Sequence, residues 1–360
     1  RCRMGLRVDP EKTRGLVQEI FERSGLSEED AFTVSENLIL AEMRGIRSHG
    51  LVQVENYSQK LREGKINPRS KITLLHEGRG NAVFDADHAP GSVAGKFAMR
   101  HTIRKARQNG VAVSTVRNGT HFGYAAYYAM QALDHDMIGL AFTSTGAAVA
   151  PFGGYERLVG TNPICVAVPA GKVRPVVFDA ATSNAAFNKA FFAYTEGHSI
   201  PDDWGLDARG NATTDPADIV LRGGALLPFG GYKGYGLGFI VFILTTLLSG
   251  TSVLEDCKET AAENYMRVSY NFAAIDISQF TDVAEFKRNL DVSVEQIKSS
   301  KRLAGVDEIF VPGEIESNNH EKSLREGLIL YEGVANSITR TLDALGLPLS
   351  LSDCSFKKTL

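Results

Sequence analysis

The pattern of apolar and polar positions in the first 62 residues is typical of helices. Asp9-Pro10 places a proline in the first turn of a helix, and Gly25 marks its end. A second helix is predicted over "AFTVSENLILAEM". A third is predicted over "SHGLVQVENYSQKLREG", with Ser48 as its N-cap and Gly64 after its last turn. The chain therefore opens with a helical region.

Short apolar runs begin near Lys71 and predict β-strands. "KITLLHEGRGNAVFDAD" is typical of a hairpin. The runs "VAVSTV", "IGLAFT", "ICVAVP" and "PVVFDAA" follow, with helices predicted over residues 92–108 and 122–134. Beyond them lie a strand-like "RVSYNFAAIDIS", a polar helix over 281–301 and a helix over 320–345. This order predicts a mixed α/β fold.

The longest uncharged run extends from Gly234 to Leu254 and directly follows Lys233, which lies among five glycines. Its strongly apolar part, Leu237 to Leu248, would reach roughly 18 Å as a helix, whereas a membrane span must cross about 30 Å of hydrocarbon. We therefore expect no membrane span. The run is predicted to be a buried helix of a soluble protein.

Composition and charge exclude several classes of protein. The 360 residues carry a net charge of −3, which gives no electrostatic footprint for nucleic acid, and 43% are hydrophobic, enough for a sizeable core. Cys2, Cys165, Cys257 and Cys354 form no C-x-x-C pair, so neither a disulfide framework nor a zinc site is expected. The N-terminal segment lacks the apolar core of a secretory signal. A cytoplasmic protein without metal, nucleic-acid or membrane partners is predicted.

Lys233 is the first candidate for a ligand contact. The sequence contains neither G-x-G-x-x-G nor G-x-x-x-x-G-K-[ST], so a nucleotide would have to bind in another way. A helix that begins near Gly234 would direct unpaired N–H groups at whatever precedes it, and an anion there would explain a lysine at the positive helix end. A solvent-facing lysine in a glycine-rich turn explains the pattern equally well.

Two histidines are candidates for proton transfer. His49 lies in "RGIRSHGL" at a predicted helix start, and His121 lies in "NGTHFGYAAYY" between a strand and a helix. A helix N-terminus favours neutral imidazole, which can exchange a proton near neutral pH. Arg44 and Arg47 could bind a carboxylate beside His49. The alternative is that each histidine only caps or lines a turn.

Two further stretches leave room for a ligand. "VFDAATS", residues 177–183, ends a predicted strand in small and hydroxyl residues, and "LVGTNP" does the same before the strand at Ile164. Sites in α/β proteins are common at such strand ends. Ordinary turn chemistry is the alternative for both. The charged helix over 281–301 is predicted to be a solvated face.

Eight motifs occur in one order along the chain: "RGIRSHG", "THFGYAAYY", "APFGG", "GTNP", "FDAATS", "IPDDWGLDARGNATTDP", "GGYKGYGLG" and "VPGE". Together they resemble the malate/L-lactate dehydrogenase family that lacks a Rossmann domain. This family includes ureidoglycolate dehydrogenase, sulfolactate dehydrogenase, diketogulonate reductase and the cyclic imino acid reductase. The resemblance extends from about Val8 to Leu345.

The resemblance implies a homodimer that binds NAD or NADP in a non-Rossmann α/β domain, residues 71–315. Helices from both chain ends, residues 1–70 with 316–360, would form a second domain. The implied reaction moves a hydride between the nicotinamide and C2 of a small 2-oxo or 2-hydroxy acid. Reduction of a cyclic imine carboxylate, or a non-catalytic ligand-binding role, are the alternatives.

The resemblance also implies roles for individual residues. His49 matches the proton donor of some relatives and His121 the proton acceptor of others; we favour His49 as the donor. Arg44 or Arg47 would hold the substrate carboxylate, with Ser48 and Thr145 beside it. The implied cofactor contacts are Phe178, Asp179, Ala180, Ala181, Thr182, Ser183, Lys233, Gly234, Gly313 and Glu314.

The sequence departs from the family pattern at four places. Thr120 replaces the usual asparagine before the histidine, and "STGAAVAP" at residues 144–151 replaces "NSPPAMAP". Both changes lie near the expected substrate and bear on its identity. The family usually has a Gly-Lys pair where this chain has Asn188-Lys189, so asparagine replaces the glycine. Phe242 replaces an acidic residue in the apolar run, which would alter a dimer or domain contact.

Overall fold

The computed structural model describes residues 5–251 and 268–356, which form a mixed α/β fold around a seven-stranded sheet. The described strands are β1 (Leu6–Val8), β2 (Thr73–Glu77), β3 (Asn81–Asp85), β4 (Val111–Gly119), β5 (Met137–Thr143), β6 (Ile164–Val168), β7 (Val176–Ala180), β8 (Gly205–Leu206), β9 (Ala225–Leu226), β10 (Val268–Asp276) and β11 (Leu328–Leu330). The central sheet has the order β2-β3-β4-β10-β5-β6-β7. Only β3 and β4 pair in parallel within it. The predicted fold class is confirmed.

The helices lie at both ends of the chain and between the strands. Within the described ranges they are α1 (Pro10–Arg23), α2 (Glu28–Met43), α3 (Val54–Arg62), α4 (Gly91–Asn109), α5 (Ala126–Ala129), α6 (Phe187–Glu196), α7 (Pro216–Val220), α8 (Tyr232–Phe242), α9 (Val283–Lys298), α10 (Glu314–Glu326) and α11 (Glu332–Leu345). The predicted start of α1 is confirmed, because the side chain of Asp9 caps the helix at Lys12 N–H.

Three apolar cores hold these elements. One joins α1, α2 and α3 to β11 and α11, so both chain ends share it; β1 also pairs antiparallel with β11. The second lies between α4, α5 and the central sheet, with Tyr128, Tyr270 and Phe272 fully buried. A small third core packs α6 near Ile219 and Leu226. The domain boundaries drawn from the resemblance stay a prediction.

Three predicted helices differ from the structure. The third begins at Val54, because two 3₁₀ turns, Arg47–His49 and Leu51–Gln53, precede it. The helix predicted over 122–134 is only α5 followed by a 3₁₀ stretch. The helix predicted over 320–345 is two helices, because Gly327 has a positive φ and the chain then enters β11.

The apolar run after Lys233 forms α8 and a π-helical turn over Ile243–Leu247; its end beyond residue 251 lies outside the described residues. The prediction of a fully buried helix is wrong for the single chain. Leu237, Ile240 and Leu248 are 42%, 50% and 54% exposed. One side of α8 packs inward, with Gly234 against the Phe229 carbonyl and Gly238 against the Thr182 hydroxyl. No helix among the described residues is long and apolar enough to cross a membrane.

Candidate active site

A cavity of about 590 Å³ opens between the helical region and the sheet. Most of its wall comes from four segments that are distant in sequence: the turn that follows α2, the loop that follows β4, the end of β5, and the chain from β7 into α6. Thr161 and Pro163 before β6 and Val268 of β10 complete it. The sequence-predicted residues on this wall are Arg47, Ser48, His49, His121, Thr145, Asp179, Ala180, Ala181 and Ser183.

His49 lies in the 3₁₀ turn Arg47–His49 rather than at the start of a longer helix. Ser48 does not cap a helix, which corrects the prediction; its hydroxyl lies 2.8 Å from His49 Nδ1. The carbonyl oxygen of Ser48 accepts hydrogen bonds from Gln53 Nε2 at 3.0 Å and from Asn188 Nδ2 at 3.2 Å. The turn is therefore fixed both to its own chain and to α6.

His121 lies in the loop between β4 and α5, and its ring stacks on His49. The two ring centroids are 5.5 Å apart, with planes inclined by 18°. Tyr57 of α3 hydrogen-bonds His121 Nδ1 through its hydroxyl. Burial raises the pKa of Tyr57, so the phenol stays neutral. Each histidine thus has its Nδ1 bound to a hydroxyl, which orients the ring.

Both imidazoles are held neutral by their surroundings. Burial lowers the pKa of His49 to about 4. Burial, the neighbouring His49 and Lys60 together lower the pKa of His121 to about 3. Neutral imidazoles were expected from helix N-termini, but the dominant cause in the structure is desolvation. A neutral imidazole in a cavity can accept a proton.

Glu42 of α2 supports the turn that carries His49. Its carboxylate accepts the Leu51 N–H at 3.0 Å, and its other oxygen lies 3.8 Å from Arg47 Nε. A Cβ on Gly50 would approach the Glu42 carboxylate to 2.3 Å, so only glycine allows this contact. Burial raises the pKa of Glu42 to about 7. Glu42 thus contacts the chain two residues before and two residues after His49.

The two candidate arginines occupy different environments. Arg44 is buried, donates from Nε to the Tyr124 hydroxyl at 2.8 Å, and does not line the cavity. Arg47 lies on the cavity wall, donates to the Tyr331 hydroxyl, and stacks 4.6 Å from the centroid of that ring. Arg47 is therefore the arginine placed beside His49.

The strand ends form the opposite part of the wall. Asp179 near the end of β7 lines the cavity, where it is exposed; desolvation by the protein packed around it raises its pKa to about 7, while Ala126 N–H donates to it at 3.0 Å. The Thr145 hydroxyl accepts the Thr161 N–H at 2.8 Å. Asn162 accepts the Thr145 N–H and donates to the Gly238 carbonyl at 2.9 Å, which ties α8 to this wall.

The remaining predicted cofactor residues lie outside the cavity lining. Lys233 is exposed in the first turn of α8. Gly234 packs tightly, since a Cβ there would meet the Phe229 carbonyl at 2.3 Å. Glu314 binds Lys298 at 2.6 Å, and Gly313 packs against Val177. Phe178 is exposed and Thr182 is buried.

Several wall or supporting residues were absent from the prediction: Glu42, Tyr57, Tyr124, Ser144, Asn188 and Lys189. Glu42 and Tyr57 lie on helices that were predicted from their apolar residues, so these two side chains were not singled out. Asn188 and Lys189 were noted only as a departure from a pattern. Each reaches the site through contacts between distant segments, which local sequence signals do not report.

The sequence profile of the malate/L-lactate dehydrogenase family matches residues 8–339. The chain belongs to this family. It is 36% identical over 352 residues to the malate dehydrogenase of Pyrococcus abyssi, a match that covers 95% of this chain and 96% of the relative. It is 37% identical over 341 residues to the L-sulfolactate dehydrogenase of Methanocaldococcus jannaschii, which covers 94% of this chain and 97% of the relative.

Solved structures agree with these relatives. The malate dehydrogenase from Entamoeba histolytica superposes with a TM-score of 0.91 at 28% identity, covering 95% of this chain and 99% of that one. The chain is accordingly an oxidoreductase of the 2-hydroxy acid dehydrogenase type. Family membership also indicates a nicotinamide cofactor.

The residues of the cavity fit such a group. Alanines at positions 180, 181, 185 and 186 leave room for a flat ring, and the hydroxyls of Thr145, Thr161 and Ser183 can bond a carboxamide. Arg47 and Ser48 provide donors for a small acid beside the imidazole pair. The cavity therefore has both the apolar surface and the donors that the reaction needs.

Proposed function

We propose that the protein oxidises the hydroxyl of a small 2-hydroxy acid, and reduces the matching 2-oxo acid, with NAD or NADP at this cavity. The observation that carries the proposal is the stacked pair of neutral imidazoles, His49 and His121, beside Arg47 in one cavity. Family membership supports the reaction class.

Each residue of the site has its own role in the proposed reaction. Arg47 and Ser48 hold the substrate carboxylate, and Thr145 lies on the wall of the strand ends. His49 exchanges the hydroxyl proton, while the Ser48 hydroxyl at its Nδ1 fixes the ring. Tyr57 orients His121, which stacks on His49 and limits its motion. The bound cofactor accepts or supplies the hydride at C2. The contacts of Lys233 and Gly234 with the cofactor stay a prediction.

The proposal is tested by absorbance of reduced nicotinamide with each cofactor and a panel of acids. Malate, sulfolactate and lactate test the oxidation, and their 2-oxo acids test the reduction. A cyclic imine carboxylate tests the alternative reductase activity. If the protein binds the acids but turns over none of them with either cofactor, it is a non-catalytic relative, and the proposal is wrong.

The oxidation is expected to continue into acidic solution. The imidazole must be neutral to accept a proton, and its pKa of about 4, below the ordinary 6.5, keeps His49 neutral down to about pH 4. The pH profile of kcat/KM measures this directly. The double variant Asp179→Asn/Glu42→Gln is measured in parallel, because burial raises the pKa of both Asp179 and Glu42 to about 7. A fall in the profile of this double variant with an apparent pKa of 6.5 would contradict the assignment.

We propose a homodimer whose interface includes the exposed apolar side of α8. Leu237 and Ile240 of α8, with Leu248 just after the π-helical turn that follows it, expose apolar surface that a second copy would cover. Ile240→Lys should shift the mass measured by light scattering from dimer towards monomer, because a buried unpaired charge is costly. Leu303→Lys is the control, since Leu303 is 81% exposed elsewhere. A wild-type monomer would refute the dimer.

A further inference from the structure

Asn188 links two parts of the cavity wall that belong to different apolar cores. It lies in the first turn of α6, and its Nδ2 donates a hydrogen bond to the Ser48 carbonyl at 3.2 Å. Ser48 belongs to the histidine turn, Arg47–His49, which follows α2 and the core shared by both chain ends. Helix α6 instead packs into the small core through Ala190. Among the described residues, no other hydrogen bond or ion pair joins α6 to the histidine turn.

The sequence departs from the family pattern at this position. Glycine, the usual residue, has no side chain that could reach the Ser48 carbonyl. A helix with glycine there would meet the histidine turn by packing alone. The hydrogen bond is therefore a property of Asn188 in this chain.

One face of α6 forms part of the cavity wall. Ala186, Lys189 and Phe192 are spaced by three residues, share this face and line the cavity. The neighbouring Phe191 lies on a different face and is 43% exposed. The side chains that a ligand meets on this wall therefore depend on how α6 is held.

Asn188 acts on the wall without facing a ligand. Its side chain is not among the described groups that line the cavity, and its bond ends at the peptide that joins Ser48 to His49. Gln53 donates to the same Ser48 carbonyl at 3.0 Å, but Gln53 belongs to the segment that directly follows the turn. One acceptor thus takes a local bond from Gln53 and a second bond that comes from α6.

We propose that Asn188 is a positioning residue that holds α6 against the histidine turn, so that the cavity wall is in place before the acid binds. Resting on the proposed function, which places the acid beside His49, this role concerns binding of the acid rather than proton exchange. A wall that becomes ordered only on binding costs conformational entropy and weakens the affinity, whereas a wall already in place avoids that cost. The KM for the acid should therefore depend on the bond more than kcat does.

The test compares Asn188→Ala with Gln53→Ala by amide hydrogen exchange of the ligand-free protein. Each variant removes one donor from the Ser48 carbonyl, but only Asn188→Ala releases α6. Alanine favours a helix more than asparagine does, so the substitution does not itself weaken α6. We expect about 2- to 10-fold faster exchange over residues 187–196 in Asn188→Ala, the effect of one neutral hydrogen bond. Exchange of α6 in Gln53→Ala should equal that of wild type.

Steady-state kinetics provide the second measurement. With an acid that wild type turns over, Asn188→Ala should raise KM about 2- to 10-fold and leave kcat nearly unchanged. Asn188→Asp has nearly the same size but no N–H donor, so it should raise KM at least as much. If Asn188→Asp behaves as wild type, packing rather than the hydrogen bond holds α6, and the proposal is overturned.

Unchanged α6 exchange in Asn188→Ala, or equally faster exchange in both alanine variants, would refute the link. Faster exchange with an unchanged KM would refute its role in binding the acid. Failure of the proposed function has a different signature, namely no turnover of any acid by wild type. The exchange comparison then still decides whether Asn188 holds α6, and calorimetric titration of malate replaces KM. Weaker binding by Asn188→Ala supports the proposal, and equal affinity refutes it. Circular dichroism confirms that each variant is folded.

Discussion

Replacing His49 by alanine is expected to lower kcat by about 10² to 10⁴, the usual contribution of a positioned acid or base. The imidazole is the neutral group beside Arg47, and Ser48 fixes its ring, so no other side chain on that turn can take the proton. Binding of NAD(P)H, measured by nicotinamide fluorescence, should stay close to that of wild type, because alanine removes no charge from the cavity.

His121→Ala is the matched comparison. His121 contacts His49 by stacking and is bound by Tyr57, so its loss should raise KM for the acid more than it lowers kcat. Tyr57→Phe removes only the hydroxyl and should reproduce part of that effect. The reverse result, a large kcat loss in His121→Ala and a small one in His49→Ala, would transfer the proton-exchanging role to His121.

Replacing Glu42 by alanine is expected to lower the free energy of unfolding by about 1–3 kcal/mol at pH 6, because the buried Leu51 N–H loses its acceptor. The same change frees the turn that carries His49, so kcat should fall as well. Denaturant unfolding and steady-state kinetics measure the two effects. Full stability with full activity would show that Glu42 does not support the turn.

Glu42→Gln separates the hydrogen bond from the charge. The amide oxygen can still accept the Leu51 N–H, so stability below pH 4.5 should resemble wild type. The pKa of Glu42 is raised from 4.5 to about 7, so its contribution to wild-type stability is present below pH 4.5 and is lost as the pH rises through about 7. Glutamine does not titrate, so Glu42→Gln does not lose stability in this way. At alkaline pH its free energy of unfolding should exceed that of wild type by up to about 3 kcal/mol. A difference that does not change with pH would show that the carboxyl does not titrate in this range.

Much of the architecture is encoded locally and could be predicted. Strands β2 to β7 coincide with short apolar runs, and the hairpin of β2 and β3 coincides with its glycine-rich turn. The start of α1 follows from Asp9-Pro10, because capping depends on neighbouring residues alone. The family was also recognisable from the sequence, since its motifs survive as short strings in a constant order.

The predictions that were wrong concern segments in which long-range packing overrides the local conformational preference of the residues. The residues around Ser48 have a helical pattern, but they form two 3₁₀ turns, with Glu42 packed against Gly50 and bonded to the Leu51 N–H. The apolar run of α8 predicted a buried helix, yet hydropathy does not specify whether this chain or a second copy covers each side.

The sequence by itself determined the element types, the family and the identity of both histidines as candidates. Only the tertiary structure decided that those histidines stack in one cavity, that Arg47 and not Arg44 lies beside them, and that Lys189 shares their wall. The physical reason is that a pKa, an ion pair or a cavity depends on which distant segments exclude water from one another. Burial lowers the pKa of His49 and His121 through neighbours such as Tyr57, which lies 64 residues from His121 along the chain.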